Sequence, residues 1–293
     1  MDLEAGTAAS RPLRIAVWGD DDHSRQVVQS IEDRVREALI GEPSVPVPEL
    51  TLVSSRPDEE LAGGNHLVMS TGATSSEWVD VVIGSRTQAA MFAVDRLAPW
   101  ASKWHIGRRA PRRLVAELAA SNPEWKSGAS RLIARLRVAT EGLPVLRIDH
   151  IGSTSVPGLA AKDLIDVQIT TPTAVDALAV ALAGTAAGFA HVPGDWFGLD
   201  RDGGQHREEV LVDSDPGRPV NINIRSAELP VARDALLFRD WLRMNADGRN
   251  SYEAMKRELL GRHVDDYSAK KEPFISDALS HAEAWATETN WRF

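Results

Sequence analysis

The stretch from Val145 to Thr170 restricts what this chain can fold into more than any other. Val145–Ile151 is apolar enough to read as a buried strand, and it runs into Gly152-Ser153, a bend with almost no side-chain bulk. A second apolar stretch, Leu164–Thr170, follows after a short gap, and there Asp166 and Gln168 stand two positions apart. In a strand, that spacing puts both side chains on one face. The pair of strands therefore presents a glycine-serine bend beside a strand face carrying a carboxylate and an amide. A glycine lets successive backbone N–H groups converge on an anion, and the hydroxyls of Ser153, Thr154 and Ser155 add donors. On the residues alone the bend reads either as a plain strand-ending turn or, with Asp166, as the lining of one anion-receiving cleft.

The flanking periodicities indicate an α/β chain. Leu13–Trp18 reads as a buried strand followed by a turn at Gly19–Asp22, and Ser24 can cap a helix whose apolar face is Val27, Val28, Ile31, Val35 and Leu39. Short strands are expected at Leu50–Val53, His66–Met69 and Val79–Ile83, then a helix over Gln88–Lys103. Together these make a small α/β layer. Residues 106–112 are polar with proline and glycine, so the domain boundary falls there: a tail at 1–11, a small α/β domain at 12–109 and a second domain at 110–293. Asn122-Pro123 opens a helix, and an alanine-rich helix is expected at 173–187. Strands at Glu208–Val212 and Val220–Ile224 flank the turn Asp215–Pro219. Alternation in the second of these puts Asn221, Asn223 and Arg225 on one face and the isoleucines on the other. The last third reads as helices with core stripes around Trp241, Tyr252 and Leu279, the final one starting near Pro273.

Bulk properties narrow the function classes. A net charge of −9, spread over both halves, gives no basic surface for nucleic acid. With no cysteine, disulfides, thiolate metal sites and a cysteine nucleophile are excluded. The N-terminus shows no leader pattern and no apolar run is long enough to span a bilayer, so no membrane partner and a cytoplasmic location are expected.

Five blocks arrive in an order similar to that of the GrpB family: Arg147–Gly158, Lys162–Gln168, Asp215–Asn221, Leu237–Leu242 and Lys271–Ile275. The resemblance covers residues from about 110 to the end. It implies a nucleotidyltransferase-like (polymerase β-type) mixed sheet with packed helices, and a pocket for a nucleotide or another phosphorylated small molecule. In such a pocket Gly152, Ser153, Thr154 and Ser155 cradle phosphate, Asp166 is the catalytic and metal-holding carboxylate, and Mg²⁺ is the expected cofactor. Gln168, Asn221 and Asn223 line it. Lys162, Arg225 and Lys271 supply positive charge, although Lys162 and Lys271 also read as solvated surface lysines. His150 is either a proton carrier beside the pocket or a structural histidine. Two-metal nucleotidyl transfer needs two or three carboxylates, and here amides occupy the second and third positions. Transfer to a small molecule and a non-catalytic ligand-binding or folding-accessory module both remain open.

Residues 12–105 look like a remnant of dephospho-coenzyme A kinase, a domain that precedes the GrpB module in some bacterial proteins. A phosphate-binding loop needs glycines and a lysine. The first turn here offers Asp20-Asp21-Asp22 instead, and no lysine occurs before Lys103. Kinase activity is therefore expected to be lost. The three aspartates read as a solvated helix start or, as the sharper alternative, a metal site.

Overall fold

The computed structural model describes residues 12–72, 76–111, 114–192 and 194–293; the expected tail at 1–11 and residue 112 of the expected linker lie outside the described residues. The N-terminal unit is built on β1 (Arg14–Trp18), which pairs in parallel with β2 (Glu49–Val53) on one side and β3 (Leu67–Ser70) on the other. A two-residue β4 (Val81–Val82) extends the sheet to the order β2-β1-β3-β4. Ile15 and Val17 meet α1 (Asp22–Ala38) through Val27, Ile31 and Val35, whereas Ala16 faces the other side under α2 (Glu59–Gly64).

The helix expected over Gln88–Lys103 runs longer, as α3 (Arg86–Phe92), a π turn (Ala93–Leu97) and α4 (Ala98–His105). The wide turn ends just before Pro99, whose ring and missing N–H interrupt the regular ladder.

The second unit opens with α5 (Glu124–Ala139) and β5 (Arg147–Ile151), then a 3₁₀ turn at Ser153–Ser155 and β6 (Ile165–Thr171). α6 (Ala174–Ala186), β7 (Phe189–His191), β8 (Trp196–Leu199), β9 (Gln205–Asp213) and β10 (Val220–Ser226) follow. Three helices close the chain: α7 (Pro230–Met244), α8 (Ala246–Glu258) and α9 (Val264–Thr289). The sheet order is β5-β6-β10-β9-β7, with β8 folded onto β9. β6 and β10 run parallel and the other pairs antiparallel, so the sheet is mixed.

Odd-numbered residues of β6 and even-numbered residues of β10 (Ile165, Val167, Ile169; Val220, Ile222, Ile224) pack under α5 and α6. The opposite face carries the polar residues. Beyond it Leu237, Trp241, Tyr252, Leu279 and Ala282 join α7, α8 and α9 into a separate core. Pro273 lies inside α9, not near its start: the helix begins at Val264, where His263 caps it. Among the described residues no helix is long and apolar enough to cross a membrane.

The two units meet through charge. Arg96 grips the fully buried Asp215 with two hydrogen bonds of 2.8 and 2.7 Å. Arg131 pairs with Asp80 at 2.5 Å, Arg218 reaches the same carboxylate, and Arg135 stands 3.6 Å from Asp213. A main-chain bond from Ala110 N to Asp213 O and a side-chain bond from Ser214 Oγ to Arg108 O tie down the passage between the units. Asp215, at the start of the expected turn, is thus an internal anchor.

Candidate functional site

The bend after β5 depends on Gly152, whose φ of +68° is left-handed. A Cβ there would sit 2.4 Å from Asp166 Oδ2, so the absent side chain is what lets the carboxylate lie against the bend. Asp166 and Gln168 share the open face of β6, and the register sets Asn221 beside Asp166 and Asn223 beside Gln168. Asn221 Nδ2 donates to Asp166 Oδ1 at 3.3 Å. Burial pushes the Asp166 carboxyl upward, opposed by Lys162 and Lys271, the Asn221 hydrogen bond and Arg225. Of the sequence-derived set, Lys162, Lys271, Asn221 and Arg225 therefore gather around one carboxylate.

The two outer lysines share an aromatic support. Lys162 Nζ and Lys271 Nζ each lie 5.1 Å from the centre of the Tyr267 ring. Lys271 is not placed ahead of a helix. It sits within α9, four residues after Tyr267, and therefore projects from the same side of that helix. Glu272 lies in the same field; its carboxyl is raised by burial against the pull of Lys271 and Arg225.

Two expected ligand groups are already committed. Arg225 Nε donates to Glu208 at 2.5 Å and Nη1 to Gln168 Oε1 at 3.0 Å. Gln168 is fully buried, and its amide nitrogen donates to Ala232 O at 2.9 Å and Thr170 Oγ1 at 3.1 Å. Asp149, opposite Gln168 on β5, is held by Arg147 and Arg239. The carboxylate that shares this face with Asp166, that of Asp149, is thus bound by arginines, and the amide oxygen of Gln168 is taken. Among the described residues no group of three or more His, Cys, Asp or Glu could hold an ion. The residues present do not fit a two-Mg²⁺ centre.

The hydroxyls of the bend separate. Ser153 Oγ lies 3.3 Å from Lys256 Nζ on the Asp166 side. Ser155 Oγ donates back to Gly152 O at 2.6 Å, while Thr154 Oγ1 lies 3.0 Å from His150 Nε2. His150 pairs with Val167 in the ladder and so faces the α5 side, away from Asp166. Of its two readings, that of a proton carrier beside the Asp166 cleft does not match this placement. Burial, with Arg243 and Arg239, drives the imidazole down to about 4, which keeps it neutral at physiological pH.

Lys256 is the residue that sequence reasoning missed. It is 1% exposed, donates to Ala160 O and lies 4.7 Å from the centre of the Tyr252 ring. Glu253 accepts from Ala160 N at 2.9 Å, so one face of α8 clamps both sides of the Ala160 residue. Burial, reinforced by Lys271, drives the amine down to about 7. A signal existed: Lys256 falls on the apolar stripe Tyr252, Met255, Leu259, where a charged residue is out of place.

In the N-terminal unit, Asp21 caps α1 itself. Its Oδ1 accepts from Ser24 N at 2.8 Å and Ser24 Oγ at 2.5 Å, and Ser24 Oγ lies 2.7 Å from Thr71 Oγ1. These bonds hold the Asp21 carboxyl below the usual range. A side-chain carboxylate occupies the place where a phosphate-binding loop presents backbone donors.

The family model described as GrpB protein matches residues 115–281. A dephospho-CoA kinase of Mycolicibacterium paratuberculosis is 36% identical over 220 residues, covering 68% of this chain and 53% of that protein. The chain thus spans about half the length of the curated kinases that it matches. A UPF0157 protein of Streptomyces coelicolor is 34% identical over 193 residues, covering 61% of this chain and 96% of its own length. The crystal structure of the conserved protein GrpB from Enterococcus faecalis superposes with a TM-score of 0.47 at 22% identity, over 58% of this chain and 99% of that one. The match to the family model takes in more than half of the sequence, and the chain belongs to the GrpB family.

Proposed function

We propose that the C-terminal unit is a nucleotidyltransferase-like pocket that binds a nucleotide or a similar phosphorylated small molecule, with lysine ammoniums in place of metal ions. The observation that carries this reading is the gathering of Lys162, Lys271 and Lys256 around the Gly152-Ser153 bend and Asp166. A phosphate entering there accepts from the outer amines and from the Ser153 hydroxyl. Asp166 and Asn221 hold the back of the recess. Point-like ammonium groups suit a phosphate without demanding bidentate geometry. The reading stops at binding, because nucleotidyl transfer needs further carboxylates free to hold metal, and arginines engage Asp149 and Glu208. A non-catalytic ligand-binding or accessory role follows. Loss of kinase activity in the N-terminal unit belongs to the same reading, supported by the self-capped α1 and the lack of a lysine before Lys103.

Thermal denaturation of the whole chain with ATP, in EDTA and in Mg²⁺, tests this. Stabilisation by ATP in EDTA, retained in Asp166→Asn and lost in Lys271→Ala, is expected. Stabilisation that requires Mg²⁺ and disappears in Asp166→Asn would instead support the transferase reading.

A further inference from the structure

The far side of the signature bend opens on a cavity of about 700 Å³ between the first half of α5, the turn at Thr154–Gly158 and the end of α7. It is separate from the Asp166 recess: His150 and Asp166 project from opposite faces of the sheet. Its volume is within the range of sites that enclose a small molecule. Trp125, Ile133, Val156 and Pro157 give it an apolar wall. The charged residues of the lining are Lys126 and Arg243; among the described residues no carboxylate lines the cavity, and Asp240 reaches Arg243 from outside it.

Arg243 is held in place by its own bonds. Nε and Nη2 donate to Ser155 O at 3.0 and 2.9 Å, and Nη1 donates to Asp240 at 3.2 Å. The exposed Lys126 stands on the first turns of α5. His150, bonded to Thr154, offers a neutral imidazole at the inner end. An apolar enclosure bordered by two cations selects an anion with a substantial apolar body and rejects cations.

We propose that this cavity is a second small-molecule site, for an organic anion with an apolar or aromatic body, distinct from the phosphate-binding recess at Asp166. The apolar body rests between Trp125 and Pro157, and the charged end turns toward Lys126 and Arg243. Both sites share the 3₁₀ turn, since Gly152 and Ser153 border one and Thr154 and Ser155 the other.

The test uses 8-anilino-naphthalene-1-sulfonate, an aromatic body with one sulfonate, titrated against the folded full chain by fluorescence. Saturable one-site binding is expected, weakened about tenfold or more by Ser130→Trp, which fills the cavity from a partly accessible position on α5. Lys126→Glu, at an exposed site that leaves the fold intact, should weaken it several-fold, and Asp166→Asn should leave it unchanged. Circular dichroism on each variant separates lost binding from lost folding. Absence of saturable binding, or binding indifferent to both Ser130→Trp and Lys126→Glu, overturns the proposal.

Discussion

Replacing Lys256 by methionine isolates the most perturbed amine of the pocket. The ordinary lysine value is 10.5, and the folded chain holds this one at about 7, chiefly through burial. Between those limits the unfolded chain keeps a proton that the folded chain has released. Wild-type stability therefore rises with pH through that window, by up to about 1.4 kcal/mol per pH unit. Below about pH 7 both states are protonated and the full cost of the buried charge is present, about 5 kcal/mol for a displacement of this size. Methionine has no such dependence, and its flexible apolar chain can lie against the Tyr252 ring. From pH 7.5 to 9.5 the wild type should gain about 2.5 kcal/mol on Lys256→Met. A residual deficit of the variant at pH 9.5, about 1–2 kcal/mol, reflects the lost bond to Ala160 O. Urea denaturation of both proteins at the two pH values measures the difference, in which the other titrating groups largely cancel. A gap between them that does not change with pH would refute the reasoning.

Two further outcomes follow from the junction and the N-terminal loop. Arg96→Met strands the buried Asp215 and should lower stability by about 3–5 kcal/mol in chemical denaturation, with Arg96→Met/Asp215→Leu recovering most of the loss; a single-variant cost below about 1 kcal/mol would contradict the buried-pair account. Incubating the chain with ATP, Mg²⁺ and dephospho-coenzyme A should form no coenzyme A above a protein-free blank, and formation above it would restore the kinase reading.

The strands that frame the site were legible because two-residue periodicity carries face assignment directly: Asp166, Gln168, Asn221, Asn223 and Arg225 do share one face. The relation between bend and carboxylate was also legible, since only glycine tolerates both the backbone angle and the approach of Asp166. Which hydroxyls stay on that side was not, because Thr154 and Ser155 are turned away by a 3₁₀ turn whose bonds depend on His150 and Gly152 O. Arg225 looked available from its strand position, yet Glu208, adjacent on β9 only after folding, neutralises it. β7 and β8 are too short to show a period, and α2 is a single turn and a half packed under α5. Pro273 misled because proline usually marks a helix start; within α9 it lies among residues only partly buried, where water can serve the carbonyl left without a donor.

The arginine–aspartate network joining the two units behaves differently on warming from the cores on either side of it. The free energy of hydrating ions becomes less favourable as temperature rises, so keeping Arg96, Asp215, Arg131 and Asp80 out of water costs less in a hot protein than in a cold one. Added salt also screens such enclosed pairs far less than it screens surface ones. Warming therefore penalises the seam less than cooling does, and the two units should melt as one body instead of swinging apart.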